Sequence, residues 1–430
     1  MKLYELGQWE IVLRRRNLKI PTEMMLDHQL QKNSVPIQGR NSEAPMTVQG
    51  RNYTSIQKRN PTRKRRPRGK KHGPNTQRDR SLARAIKKEE VLHAYRPTQF
   101  SYNVLHAATN KFSNKNLIGR GGFGDVFKGW IHSCAKTPAK PNDGQAIAVK
   151  RLRNKQPQGH EAWQNELNFL TKISHQNLVK LIGYCCECEH KILVYEYMPK
   201  GSLDAHLSKE RDTELTWGRR IKIAVGVARG LDHLHTVPRP IIHRDLKTSN
   251  VLLDADFNPK LSDFGLAKYG PHDHETHVST RVLGTKGYVA PEYIGTGHLT
   301  LKSDVYSFGV VLLEILSGSS AVDRFSNGML ENLADHAKPY LSNKLRLPHV
   351  IDKRLGSNFS MEEAQELAEI ILQCLNSDAN SRPTMTEVLS SLEQLEQHRD
   401  SSKHNLRGLA APQKVLPLNF HRDIKENPVS

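Results

Sequence analysis

The chain runs to 430 residues, with 64 Lys and Arg against 44 Asp and Glu for a formal net charge of +20, and 37% of it is hydrophobic; it can hold more than one compact unit at roughly 100 to 200 residues each. A mean hydropathy of -0.62 and the lack of any apolar run near the roughly 20 residues that cross a bilayer argue against a membrane-spanning protein and point to some unfolded chain. The five cysteines are odd in number and three of them, Cys185, Cys186 and Cys188, are crowded into "CCEC", which excludes a secreted disulfide framework and fits a reducing, intracellular compartment.

The opening stretch "MKLYELGQWEIVLRRR" lacks the unbroken apolar centre of a signal peptide, and Lys2 leaves no N-terminal glycine to myristoylate. Much of the surplus charge sits in "KRNPTRKRRPRGKKHGPNTQRDR", which has almost nothing apolar to bury. Residues 1–95 therefore read as a solvated, basic, disordered arm. Such an arm can serve nuclear import or adhere to an anionic membrane. It carries no interleaved aromatics on which bases would stack, so no specific nucleic acid is expected.

From "FSYNVLHAATNKFS" onward the composition is that of a folded domain. The runs "NLIGRGGFGDVFKGWI", "QAIAVKRL", "LVKLIGYC" and "ILVYEYM" are rich in Val, Ile and Tyr with turn residues between them, and they predict strands. One helix interrupts them, "HEAWQNELNFLTKI", with Trp163, Leu167 and Leu170 at helical spacing. A zinc reading of Cys185, Cys186, Cys188 and His190 lacks the distant second ligand pair, so "CCEC" reads as a strand entering a turn. After Met198 the pattern turns helical, in "RRIKIAVGVARGLDHLH", "SDVYSFGVVLLEILSG", "MEEAQELAEIILQCL" and "TMTEVLSSLEQLEQH". A small sheet-rich unit followed by a larger helical one makes a cleft between them, where ligands usually sit. Residues 397–430 show no sustained periodicity and read as a disordered tail.

Chemistry enters with "IGRGGFGDVF". Gly119, Gly121, Gly122 and Gly124 lie between two strands, where glycines let backbone N–H groups close over phosphates. A dinucleotide fingerprint would need a helix next, and the chain supplies another strand instead. Lys150 ends the apolar strand "AIAVK", where an unpaired ammonium is costly, and Glu166 on the striped helix is the candidate partner. "HRDLKTSN" then gives Asp245, Lys247 and Asn250, and "DFG" begins at Asp263, thirteen residues after Asn250. Phosphoryl transfer needs an acceptor for the substrate hydroxyl's proton, a cation beside the phosphate and two oxygen ligands for magnesium. Asp245, Lys247, Asn250 and Asp263 supply those four roles. "GTKGYVAPE" follows at a distance suited to an activation segment and ends in Ala290, Pro291 and Glu292.

With these motifs in this order, residues 112–396 resemble the eukaryotic protein kinase family. "LVYEYMPKGSLDAHL", "HVSTRVLGTKGYVAPEYIGTGHLTLKSDVYSFGVVLLEILSG" and the insert "GWIHSCAKTPAKPNDGQAIAVK" further resemble plant receptor-like cytoplasmic kinases (subfamily VII). The resemblance implies an α+β bilobal protein kinase fold, with a small antiparallel β-sheet N-lobe (about 112–198) holding one key helix and a larger, mainly α-helical C-lobe (about 199–396). It also implies ATP with Mg2+, or Mn2+ in its place. Ile118 to Val126 would cover ATP, with Tyr195 as gatekeeper before Glu196, Tyr197 and Met198. Val126, Ala148 and Leu252 would sandwich the adenine. Leu170, Leu181, His243 and Phe264 would form the apolar stack between lobes, and Arg382 would pair with Glu292.

Lys247 and Thr285 match the serine/threonine branch of the family. Arg244 beside Asp245 calls for a counter-charge, for which a phosphate on Ser279, Thr280 or Thr285 is the candidate. The expected function is a serine/threonine protein kinase that acts on protein substrates and autophosphorylates its activation segment. It would lie beneath membrane receptor kinases in plant immune or growth signalling, in the cytoplasm, peripheral to the plasma membrane through its basic arm, or in the nucleus. The alternative is a catalytically silent kinase-fold scaffold. A second near-copy of the catalytic phrase, "HRDIKEN" at His421 to Asn427, puts Asn427 four residues after Asp423 instead of five, and no "DFG" follows before Ser430. It reads as chance resemblance in the tail.

Overall fold

The computed structural model describes residues 96–409, apart from residues 123, 142, 154–156, 209–214, 273 and 325–329. The expectations for the basic arm and for His421 to Asn427 fall outside the described residues.

The fold opens with β1 (Thr98–Gln99) and α1 (Tyr102–Ala108), where Ser101 caps the helix by accepting from Val104 N. Then come β2 (Leu117–Arg120), β3 (Gly124–Ile131), β4 (Gln145–Leu152), α2 (Pro157–Leu170), β5 (Leu181–Glu187) and β6 (His190–Glu196). These strands form one six-stranded sheet in the order β1-β5-β6-β4-β3-β2. Its pairs are antiparallel except the short parallel contact of β1 with β5.

Alternation along the strands gives the sheet two different faces. Phe127, Ile147, Val149, Ile192 and Val194 turn to one side and bury against Phe100, Leu105 and Phe112. The other side carries Val126, Ala148 and Lys150, which stay half-buried. Because Phe100, Leu105 and Phe112 belong to the same buried cluster, ordered structure precedes residue 112. The signal for α1 was too short for periodicity to reveal, since seven residues make only two turns. In "CCEC" the strand runs into a turn: Cys185 is buried, Cys186 is exposed, and Cys188 sits exposed in the turn with φ of 46°.

The larger lobe starts at β7 (Gly201–Ser202), α3 (Leu203–Leu207) and α4 (Trp217–Thr236). It continues through β8 (Ile241–Ile242), β9 (Val251–Leu253), β10 (Pro259–Leu261), β11 (Lys268–Tyr269), β12 (Val278–Ser279), α5 (Pro291–Thr296), β13 (His298–Leu299) and α6 (Leu301–Ser317). The hairpin β14 (Val322–Arg324) and β15 (Leu330–Asn332) leads into α7 (Leu333–Leu341), α8 (Met361–Cys374) and α9 (Met385–Leu409). Helix α6 is buried all round from Ser303 to Leu316, as a central helix should be. A capping box between Thr300 and Ser303 starts it. Gly318, at φ 62°, ends it where a side chain would collide with the Asp352 carboxylate. Two carboxylates, Asp304 and Glu314, lie buried within this apolar helix, and such groups must have partners.

Helix α9 continues to Leu409, past residue 396, where an irregular tail was expected to begin. Its apolar stripe stops at Leu395, and the polar sequence beyond carries no periodicity that would have announced three further turns.

Candidate active site

Lys150 stands on β4 opposite Val126 of β3, and Ala148 stands opposite Tyr195 of β6. Period-2 alternation therefore puts Lys150 on the half-buried face while Ile147 and Val149 anchor its strand in the core. Its Nζ lies 2.8 Å from Glu166 Oε2 on α2 and 2.8 Å from Asp263 Oδ1 beyond β10. Burial alone would lower the Lys150 pKa, but Asp263 and Glu166 outweigh it and hold the ammonium charged well above its ordinary range. For Glu166 burial prevails over the lysine and raises the pKa; for Asp263 the lysine prevails over burial and lowers it. The expected Lys150–Glu166 pair is present, and Asp263 joins it as a partner that sequence spacing did not reveal.

The glycine turn divides by steric need. A Cβ at Gly124 would collide with the Arg151 carbonyl of the neighbouring strand, so this glycine serves the sheet. Around Gly122 nothing lies within 4 Å, and at Gly119 and Gly121 the nearest atoms are 3.8 Å away. That open space is what a phosphate chain approaching the backbone requires. Ile118, 48% exposed at the edge of the turn, and the half-buried Val126, Ala148 and Leu252 offer the apolar surface expected for an adenine. Tyr195 and Met198 are buried, and burial beside the Glu166 carboxylate pushes the Tyr195 phenol well above its usual pKa. Glu196 Oε1 accepts from Lys180 N and Lys260 Nζ at 2.8 Å each, and the Glu196 N–H donates to the Lys180 carbonyl at 3.1 Å.

On the other lobe, Asp245 is buried and closely held. Thr285 Oγ1 donates to its Oδ1 at 2.6 Å, Lys247 Nζ lies 2.9 Å from its Oδ2, and Asn250 Nδ2 donates to its carbonyl at 2.8 Å and to Oδ2 at 3.3 Å. Lys247 also donates to Thr285 at 2.7 Å. The loop that carries Asp245 is fixed from below by Asp304, which accepts from His243 N at 2.7 Å and Arg244 N at 2.8 Å and lies 3.1 Å from His235 Nε2. Arg244 adopts a left-handed φ of 70°, and these two backbone bonds help hold that conformation.

Asn250 and Asp263 suit a hard divalent cation. Both offer oxygen donors, and Ser262 donates its N–H and hydroxyl to the Asn250 carbonyl at 2.9 Å each, so the two arise from hydrogen-bonded backbone neighbours. Asn250 directs its amide N–H groups at Asp245, which leaves the amide oxygen to offer. Asp263 has φ 62°, a left-handed conformation that a non-glycine residue keeps only where its surroundings impose it.

Leu170, Leu181 and Phe264 are buried in the main core, and the His243 ring meets Phe264 edge-on at 5.0 Å. Arg382 donates to both Glu292 oxygens at 2.8 and 2.6 Å, as expected. In the activation segment Arg244 Nη2 donates to Thr280 Oγ1 at 3.1 Å, to Tyr293 OH at 2.8 Å and to the Arg281 carbonyl. Ser279 is exposed on β12. Thr285 differs from the other two candidate phosphosites, because a phosphate there would face the Asp245 carboxylate that its hydroxyl now touches.

Sequence reasoning passed over Asp304, Glu314, Tyr288 and Tyr293. Tyr288 donates to Glu314 Oε2 at 2.7 Å and lies 3.2 Å from Thr248 Oγ1 of the catalytic loop, while Ala321 N donates to Glu314 Oε1 at 2.7 Å. Burial raises the Glu314 pKa to about 7 against these donors. The available signal was the two acids inside the apolar run "SDVYSFGVVLLEILSG".

Residues 112–392 match the family described as protein tyrosine and serine/threonine kinase. The chain is 53% identical over 307 residues to Arabidopsis thaliana "Probable serine/threonine-protein kinase PBL3", covering 71% of this chain and 72% of that protein. It is 50% identical over 316 residues to receptor-like cytoplasmic kinase 176 of Oryza sativa subsp. japonica, covering 73% and 80%. It is also 50% identical over 319 residues to Arabidopsis thaliana serine/threonine-protein kinase BIK1, covering 74% and 81%.

Proposed function

The chain belongs to the protein tyrosine and serine/threonine kinase family, as a receptor-like cytoplasmic kinase of subfamily VII with serine/threonine protein kinase activity in plant signalling, and from that premise we propose how its residues divide the work. Asp245 receives the proton of the acceptor hydroxyl while Lys247 and Thr285 fix its orientation. Lys150, held by Glu166, draws the nucleotide phosphates into line. The glycine turn from Ile118 to Val126 closes over them, and Ala148, Met198 and Leu252 receive the adenine. The divalent metal that kinases use is Mg2+ here, held by Asn250 and Asp263, and it neutralises charge on the phosphates when bound. The remaining work is positioning and charge stabilisation along an in-line path.

The observation that carries this reading is the single ammonium of Lys150 lying 2.8 Å from carboxylates on two distant elements. A buried lysine arranged in that way has a specific charge to meet. The activation segment is regulated through Ser279 and Thr280, since Arg244 already faces the Thr280 hydroxyl. Replacing both residues with alanine lowers turnover on this reading, and unchanged turnover argues against it. Among the described residues no helix is long and apolar enough to cross a membrane. Attachment to an anionic membrane beneath receptor kinases rests on the basic arm, which also allows nuclear entry.

The deciding experiment is radiolabel transfer from ATP to a serine peptide and to the protein itself. Asp245→Asn and Lys150→Glu abolish transfer, and deletion of residues 401–430, which removes the second "HRD" phrase, leaves it intact. Transfer that survives Asp245→Asn overturns the role given to Asp245, and transfer absent from the wild type returns the protein to the silent scaffold reading.

A further inference from the structure

Resting on that catalytic reading, we propose that this kinase selects serine or threonine acceptors flanked by acidic residues, which it reads with the exposed cations Arg281 and Lys286.

Thr285 donates to Asp245 and accepts from Lys247, so an acceptor hydroxyl that reaches Asp245 passes beside Thr285. Lys286 is the next residue and is exposed. Arg281 is four residues earlier, within about 14 Å even for a fully extended chain. Its backbone is pinned, because Arg244 and Tyr293 both donate to its carbonyl, while its side chain is exposed. Among the described residues neither cation has a hydrogen-bonding or ionic partner for its side chain. Two exposed cations therefore flank Thr285 in sequence, on the segment that passes beside Asp245.

Several carboxylates near this surface are already engaged. Between Glu275 and Glu292 the sequence holds none. Glu292 is bound by both Arg382 nitrogens, Glu314 is buried behind Tyr288, and Asp245 is held by Thr285, Lys247 and Asn250. A lysine or arginine beside the acceptor would meet the like charges of Arg281 and Lys286, and like-charge contact is an effective means of rejection.

The test compares kcat/KM of the full chain on three serine peptides that differ only in their flanks: glutamate, glutamine or lysine. Two exposed charge pairs give the glutamate peptide an advantage of about three- to tenfold over glutamine at low salt. The gain falls in KM, and it fades at about 0.5 M salt as screening shortens the range. The lysine peptide is the poorest substrate. In the double variant Arg281→Glu, Lys286→Glu the lysine peptide overtakes the glutamate peptide. Equal or better use of the lysine peptide by the wild type overturns the proposal. So does a glutamate preference that persists unchanged in the double variant, because it would then come from the basic arm. Turnover of the glutamine peptide reports catalysis separately, so the specificity can fail while the kinase reading stands.

Discussion

The two lobes hold their share of the site by different means. In the small lobe Lys150 is held by two ion pairs, to a helix and to a loop of the other lobe. In the large lobe Asp245 rides on a loop whose backbone N–H groups at His243 and Arg244 are tied to a fully buried aspartate in the central helix. The first arrangement depends on where α2 and the Asp263 loop happen to stand. The second cannot be undone without disturbing the core. One small-lobe ion pair can therefore change while the other still pairs the ammonium, whereas the large-lobe contact is part of folding itself.

Asp304→Ala makes the sharpest break. It leaves two buried N–H groups and the nearby His235 without their acceptor, and stability falls by about 3 to 5 kcal/mol in chemical denaturation, with phosphotransfer lost as well. Normal stability in this variant would remove the contrast between the lobes.

Glu314 sharpens the contrast through pH. Its folded pKa, about 7 against an ordinary 4.5, is raised by burial, so the folded state keeps a proton that the unfolded chain has already released. Stability from this group is complete below about pH 4.5 and is lost as pH rises through about 7. The loss is at most about 3 kcal/mol at one pKa unit per 1.36 kcal/mol. Glu314→Gln flattens that fall when unfolding midpoints are followed from pH 5 to 8.

In the small lobe Glu166→Gln should separate activity from folding. It keeps the shape of α2 but loosens its hold on Lys150, so turnover falls by about 10- to 100-fold, roughly 1.4 to 2.7 kcal/mol in the barrier. The melting temperature changes little, because removing a buried carboxylate also removes its desolvation cost. A large drop in melting temperature would show that both lobes are built alike.

The smallest effect belongs to the surface pair Arg229–Glu393, at 2.7 Å with both side chains well exposed. Arg229→Ala costs less than about 1 kcal/mol by thermal unfolding.

The same contrast explains what could be read from the sequence. Lys150, Asp245, Asn250 and Asp263 were legible because their chemistry demands those residue types at near-fixed spacing. Alternation in "QAIAVKRL" and the stripe in "HEAWQNELNFLTKI" placed the small-lobe strand and helix beside each other in outline. Asp304 was not legible, since its partners at His243 and Arg244 lie 61 and 60 residues away and nothing local announces them. Glu196 was legible only in part, because its side chain is taken by Lys180 and Lys260. Helix α1 escaped notice because its apolar residues find their partners only on the far face of the sheet.

The three donors around Asp245 have a last consequence. A carboxylate has about four lone-pair directions. Lys247 and Asn250 fill those of Oδ2, and Thr285 takes one of Oδ1. One direction is left. A group able to accept a proton from many angles becomes a gauge with a single opening, which a water molecule, free to tumble, satisfies far less often than a hydroxyl steered in on a peptide backbone. On the role proposed for Asp245, that single opening would by geometry alone disfavour idle hydrolysis of ATP.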